Sequence, residues 1–288
     1  MLNLPSLPFN FRSKLKNISS SYLVFCLSLI IIKIALLALF PHPMFFMGDS
    51  EAYLATAEDG YIPPDRSFIY GFLIRVILKT GYSLSAVIFF QTLLSILSCF
   101  CLAYILVHYI KCGRKTAFVL SLLFALEPNQ LVYERFVMTE ALSGFAFSCF
   151  LLCSFAFLKS SRLYFGLALA VISVLVISFR ISYLPVVIFG SLFLSLRVFE
   201  LRWPDILKAT ACVLALFFMI EGYKLIYGKL SNKAPALLYA DGFFMVAGIS
   251  PLLTPDIFQA EGLPPEINQS WKAHPLSLIH ISEPTRRR

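Results

Sequence analysis

The sequence predicts an all-α, polytopic membrane protein, and three observations carry that expectation. Charged residues make up only 14% of the chain against 59% hydrophobic, where soluble domains run nearer a quarter charged. The apolar residues gather in runs long enough to cross ~30 Å of hydrocarbon at ~1.5 Å per residue. Lys and Arg fall in short clusters between those runs, which is how membrane topology is marked. That placement also answers the net charge of +8. No basic patch interleaved with aromatics accompanies it, so nucleic acid is set aside.

Arg12, Lys14 and Lys16 precede a first span over 21–40, which places the N-terminus in the cytoplasm by the positive-inside rule. No small-residue cleavage site follows, so the segment is expected to stay as a span rather than leave as a signal peptide. The chain emerges at Pro41-His42-Pro43 and is acidic to about Ser67, with Asp49, Glu51, Glu58, Asp59 and Asp65 against Arg66 alone. Residues 67–80, interrupted by Arg75 and Lys79, read as a helix lying in the interface.

Further spans are expected over 84–110, 116–126 with the next residues to Pro128, 138–158, 163–179, 181–196 and 207–226. That makes about seven in all. Lys111, Arg114 and Lys115, then Lys159 and Arg162, then Arg197, Arg202 and Lys208 mark the cytoplasmic turns. Six of the seven cysteines lie inside apolar runs and behave as small hydrophobes, not as a disulfide framework; Cys112, in a basic loop, is the exception.

The domain plan is a transmembrane domain over 1–226 and an outer loop, or the start of an outer domain, over 227–275, rich in proline (Pro251, Pro255, Pro264, Pro265). Residues 276–288 are expected to be a non-native tail. The run Leu276 to Arg286 closely resembles the translation of a transposase adapter used for sequencing libraries, so the natural sequence is expected to stop near Pro275 and lack its C-terminal part.

Charges beside a membrane need individual explanations. Asp49 and Glu51 follow Gly48 just past the first span. Either they cap and complement the dipole of a helix beginning at Ser50, or they do chemistry. Glu140 heads an apolar helix beside Thr139, again as a dipole acid next to a cap or as a functional carboxylate. Glu134 and Arg135 read as an exposed pair worth little. Arg180, isolated between two apolar runs, snorkels to headgroups or meets a phosphate. Glu221 and Lys224 are spaced to pair within one helical turn.

The run Gly48-Asp49-Ser50-Glu51-Ala52-Tyr53 in the first outer loop, with Ala125-Leu126-Glu127-Pro128 leading to Met138-Thr139-Glu140, resembles the GT-C glycosyltransferase superfamily. Its nearest likeness is to bacterial relatives of the dolichyl-phosphate-mannose protein mannosyltransferases and lipid A aminoarabinose transferases. One departure is Tyr70-Gly71, where relatives often show Tyr-Pro.

The resemblance covers 21–196. It implies an integral protein of a bacterial inner membrane that moves a sugar from a polyprenyl-phosphate donor to a glycan, lipid or protein acceptor on the outer face. It also implies Asp49 as the base, with Glu51 and Glu140 as supporting acids that either assist directly or hold a divalent cation. Tyr53, Arg66, Glu134, Arg135 and Arg180 are then candidates for substrate contact. The alternatives are a non-enzymatic transporter or flippase, whose charges belong near mid-bilayer, and a lipid-linked polysaccharide polymerase or ligase.

Overall fold

The computed structural model describes residues 9–80, 83–198 and 205–239. The chain divides into two compact units, 1–237 and 238–288. Almost all of the second, including the expected tail, lies outside the described residues. Every described helix belongs to the first unit.

The fold is all-α, of the polytopic membrane type. α1 (Phe9–Leu39) is the first span, followed by a short helix α2 (Asp49–Asp59) and then α3 (Phe68–Lys79). α4 (Leu84–His108), α5 (Arg114–Ala125), α6 (Pro128–Tyr133), α7 (Glu140–Ser160) and α8 (Leu163–Phe179) come next. A 3-10 turn at Ile181–Tyr183 leads into α9 (Leu184–Val198), and α10 (Asp205–Ser231) ends the described bundle. Among the described residues four helices are long and apolar enough to cross a membrane: Ser21–Leu39 of α1, α4, α7 and Ile206–Ser231 of α10.

Several boundaries have evident causes. The expected third span ends just short of Pro128 as α5, and a separate short helix, α6, begins at that proline, which cannot continue a helix but suits the start of one. The Glu127 carboxylate accepts from the Gln130 N–H at 2.7 Å and caps the new start. α9 begins with Pro185 in its first turn. α10 continues to Ser231, past the expected end at 226.

Contacts sort the helix ends into two groups. At one end Tyr22 of α1 meets His108 of α4 at 3.3 Å, and Lys159 of α7 sits over the Tyr109 ring at 5.6 Å. This end carries the basic turns. At the other end the tail of α1 pairs with the α6–α7 turn, Arg180 after α8 reaches Glu140 at the head of α7, and Tyr227 of α10 donates to the Pro63 carbonyl at 2.6 Å. The acidic loop and α2–α3 belong to this end. The chain therefore passes along the bundle through α1, α4, α5–α6, α7, α8, α9 and α10, with α9 running back beside α8 through the Ser173–Ser191 contact at 3.2 Å.

The core has three parts. Phe150, Phe157, Leu169, Val176 and Cys212 join α7, α8 and α10. Phe25, Leu29, Cys99 and Ala125 join α1, α4 and α5. The third, Tyr53, Tyr70, Ile74, Ile88, Val137 and Leu142, lies beneath the acidic end. All seven cysteines are free thiols, as their apolar settings imply.

α2 and α3 fold as a hairpin whose axes come unusually close. A Cβ added at Gly71 would stand 2.3 Å from Cβ of Thr56, so only glycine fits the crossing. This is the physical content of the Tyr70-Gly71 departure in the sequence. Gly71→Ala is expected to cost about 1–3 kcal/mol through this overlap, read as a lower unfolding midpoint of the detergent-solubilised protein.

Candidate active site

The candidate site is built on α2. The helix starts at Asp49 itself, with Gly48 at φ +78° as its N-cap, so Asp49 and Glu51 both lie in its first turn. Asp49 is therefore one place past the expected cap, where its charge still complements the helix dipole. Its carboxylate pairs with Arg66, whose Nε also donates to Asp65 at 3.2 Å. Burial alone lowers the Arg66 guanidinium, but the bond to Asp49 and the charges of Asp65 and Asp49 outweigh it and leave it raised.

Tyr53 lies one turn further along α2 and is buried, with its ring edge-on to Tyr70 at 4.9 Å. Its phenol hydrogen-bonds the Thr139 side chain and feels Arg66, Glu140 and Asp49. Burial dominates and pushes the phenol up to about 12, so at neutral pH Tyr53 is a hydrogen-bonding group and not a base.

Glu140 and Arg180 complete the cluster from two further elements. Thr139 makes no capping bond, and its hydroxyl is engaged by Tyr53 instead. Arg180 Nη1 donates to Glu140 Oε1 at 2.8 Å; the guanidinium side chain is 46% exposed and the carboxylate side chain 13%. The second oxygen, Oε2, is buried with no hydrogen-bond partner among the described groups. Snorkelling alone does not describe Arg180, since it spends a donor on a buried acid.

The structure thus brings Asp49, Tyr53, Arg66, Glu140 and Arg180 together. Glu51 is exposed on a different face of α2. Glu134 and Arg135 belong to a separate, buried network, which corrects the expectation of an exposed pair. Glu134 is fully buried and its carboxylate takes the Lys33 ammonium, itself fully buried within α1. Arg135 donates to Thr92 Oγ1 at 3.0 Å and stands 3.7 Å from Glu134. Burial lowers the Arg135 guanidinium, and the Glu134 charge opposes that fall.

Gln91 of α4 joins the two layers. Its Oε1 accepts from the Tyr70 hydroxyl at 2.6 Å, and its Nε2 donates to the carbonyls of Tyr133 at 3.1 Å and Phe136 at 2.8 Å. Met44 pairs with the same turn, donating to the Arg135 carbonyl at 2.8 Å and accepting from the Val137 N–H at 2.9 Å. The Ser50 hydroxyl then donates to the Val137 carbonyl at 3.0 Å. Residues 133–137 therefore fix the start of α2, which carries Asp49, relative to the start of α7, which carries Glu140.

Lys33 and Gln91 are not singled out by the sequence. The signal available for Lys33 was an ionisable residue inside a span, which needs a partner at the same depth.

Among the described residues no three His, Cys, Asp or Glu side chains gather as metal ligands. Asp49 and Glu140 each already face an arginine.

No family model, curated protein or solved structure matches the chain. The site stands on its own geometry.

Two outcomes are expected. Lys33→Met leaves the buried Glu134 carboxylate with Arg135 alone, 3.7 Å away, and should destabilise the bundle by up to about 3–5 kcal/mol, whereas Lys33→Arg, which keeps a cation on Glu134, should cost clearly less. Thermal unfolding of the two variants in detergent decides it. For Tyr53, a phenol raised from 10.0 to about 12 favours the folded state fully below pH ~10 and loses that contribution as pH climbs through its folded value. Tyr53→Phe should remove that alkaline loss from the curve of stability against pH.

Proposed function

We propose that this chain belongs to a membrane glycosyltransferase that moves a sugar from a polyprenyl-phosphate donor to an acceptor at the outer face of the membrane. The seven passages through the bundle are then seven spans, the basic end faces the cytoplasm, and the acidic end faces out. The observation that carries the proposal is the convergence of Asp49, Tyr53 and Arg66 with Glu140 and Arg180 at the end opposite the basic turns. Two carboxylates and two guanidinium groups from α2, the α2–α3 loop, the head of α7 and the end of α8 meet at one end of the bundle.

The chemistry asks little more. An acceptor hydroxyl attacks the anomeric carbon from the face opposite the phosphate, the C–O bond to phosphate breaks, and the bonding pair leaves on the phosphate oxygen. The leaving group is already a stable anion, so no strong general acid is needed. The acceptor proton passes to a carboxylate, and Asp49 at the exposed edge of α2 is suited to take it. Arg180, with nearly half of its side chain open, is suited to meet the phosphate charge, as is Arg66 once it turns from Asp49. Tyr53, protonated at neutral pH, orients and does not abstract.

A carrier has one observation in its favour, the buried Lys33–Glu134 pair, because an intramembrane ionisable residue is by default a functional candidate. Lys33 lies six residues before the end of α1, about 9 Å along the helix at ~1.5 Å per residue. In the Ser21–Leu39 span that is nearer the middle than the acidic end, so depth fits a carrier. Both side chains are nevertheless fully enclosed, and the carboxylate–guanidinium cluster at the acidic end is what favours transfer.

Asp49→Asn tests the assignment. In membranes holding the full-length protein, transfer from a radiolabelled polyprenyl-phosphate sugar should vanish while insertion persists. Transfer at the unaltered rate by Asp49→Asn would remove Asp49 from catalysis. No transfer from any of a panel of donors by the unaltered, inserted protein would move the assignment to a non-enzymatic role.

A further inference from the structure

Between α1 and α2 the chain makes no helix, yet from Phe40 to Met47 its only polar side chain is His42. Residues 34–48 carry no Asp, Glu, Lys or Arg. Five large apolar side chains stand exposed along this stretch: Phe40 at 65%, Met44 at 48%, Phe45 at 52%, Phe46 at 53% and Met47 at 93%. They continue the exposed face of α1, where Ile31, Ile34 and Leu39 are open. An isolated exposed hydrophobe needs no explanation, but a contiguous patch does.

The backbone is as informative as the side chains. Phe40 N–H donates to the Leu36 carbonyl at 3.1 Å, Met44 N–H to the Arg135 carbonyl at 2.8 Å and Phe46 N–H to Ser50 Oγ at 2.9 Å. Pro41 and Pro43 have no N–H to satisfy. Much of this irregular loop therefore needs no water for its amide donors, the condition under which non-helical backbone tolerates hydrocarbon. The loop is also anchored, since Met44 is clamped on both sides by the α6–α7 turn.

We propose that residues 40–47 form a fixed lip that inserts into the leaflet at the acidic end, and that acyl chains of the bilayer cover Phe40, Met44, Phe45, Phe46 and Met47. Hydrocarbon is the occupant that matches an uncharged surface continuous with the exposed face of a span. The lip ends at Gly48, so it fixes the depth of Asp49 at the boundary where the acyl chains give way to headgroups. The insertion holds independently of the glycosyl-transfer proposal, because it rests on apolar exposure and backbone satisfaction alone.

The test uses the full chain with Trp203 and Trp271 replaced by Phe, which removes both native tryptophans, and a single reporter, Met47→Trp. The protein is reconstituted in vesicles of phosphatidylcholine brominated along the acyl chain, and compared with the exposed water-side control Glu51→Trp. The Met47→Trp reporter should lose most of its emission to the brominated lipid and resist aqueous acrylamide, with Glu51→Trp behaving the opposite way. Acrylamide quenching of Met47→Trp equal to that of the control would overturn the insertion. Protection from both quenchers would mean that protein covers the lip, and would overturn lipid as the occupant. Phe45→Trp in the same background is the second reporter, with the same outcomes, should Met47→Trp fail to fold.

Discussion

A lysine ammonium inside a membrane span is the constraint from which the acidic end is built. Placing Lys33 within α1 costs roughly 2.5–3.5 kcal/mol at mid-span on insertion scales, and that cost is met only when a carboxylate arrives at the same depth. Glu134 supplies it, from the turn between α6 and α7. A pair sealed from water is worth little against a well-packed apolar substitute, yet leaving either member alone is severe. The pair therefore acts less as glue than as a register mark: α1 and the α6–α7 turn have one compatible depth. Once that depth is set, Gln91 ties the carbonyls of Tyr133 and Phe136, Met44 pairs across Arg135 and Val137, and Ser50 reaches the Val137 carbonyl.

This arrangement explains how residues far apart in sequence become one site. Asp49 follows the first span and Glu140 opens α7, and no direct bond joins them. They are positioned through the shared turn at 133–137, which both helices contact at their first residues. Tyr53 then closes the gap, with Thr139 at its hydroxyl and Tyr70 at its ring. The Thr139 hydroxyl, expected as a helix cap, is used between elements instead, as is the Ser50 hydroxyl. Thr139 serves Tyr53, and Ser50 serves Val137 and Phe46.

Much of the helix plan was legible in the sequence because hydropathy and basic clusters are strong, local signals. α8 runs over the expected 163–179, and α3 begins and ends within a residue of expectation. Asp49, Tyr53, Arg66, Glu140 and Arg180 were all legible as candidates, since a charge or a phenol beside an apolar run stands out. What could not be read was pairing. Nothing local assigns Asp49 to Arg66, or hides Glu134 while leaving Glu51 exposed. Lys33 was obscured by its surroundings, a stretch of mean hydropathy 2.7 in which one lysine barely alters the average. Gln91 was obscured similarly in α4, where a single amide draws no notice until backbone carbonyls and a phenol converge on it.

The two arginines of the site differ in how much freedom the fold leaves them. Arg66 is held between Asp49 and Asp65, on a loop whose Pro63 carbonyl is itself fixed by Tyr227. Arg180 extends from the break between α8 and the 3-10 turn, in an extended backbone conformation, and among the described residues its carboxylate partner is Glu140. Its side chain is nearly half open while that acid is largely enclosed, so the guanidinium covers the carboxylate as a cap covers a well. An arriving anion can share Arg180 without displacing it, because a planar guanidinium offers five N–H donors and Glu140 takes one. Arg66 is more tightly held: two carboxylates, Asp49 and Asp65, share it, and its side chain is 22% exposed against 46% for Arg180. Any motion that turns Arg66 outward would also uncover the Asp49 carboxylate, so the exposure of the cation and of the acid is linked through one ion pair.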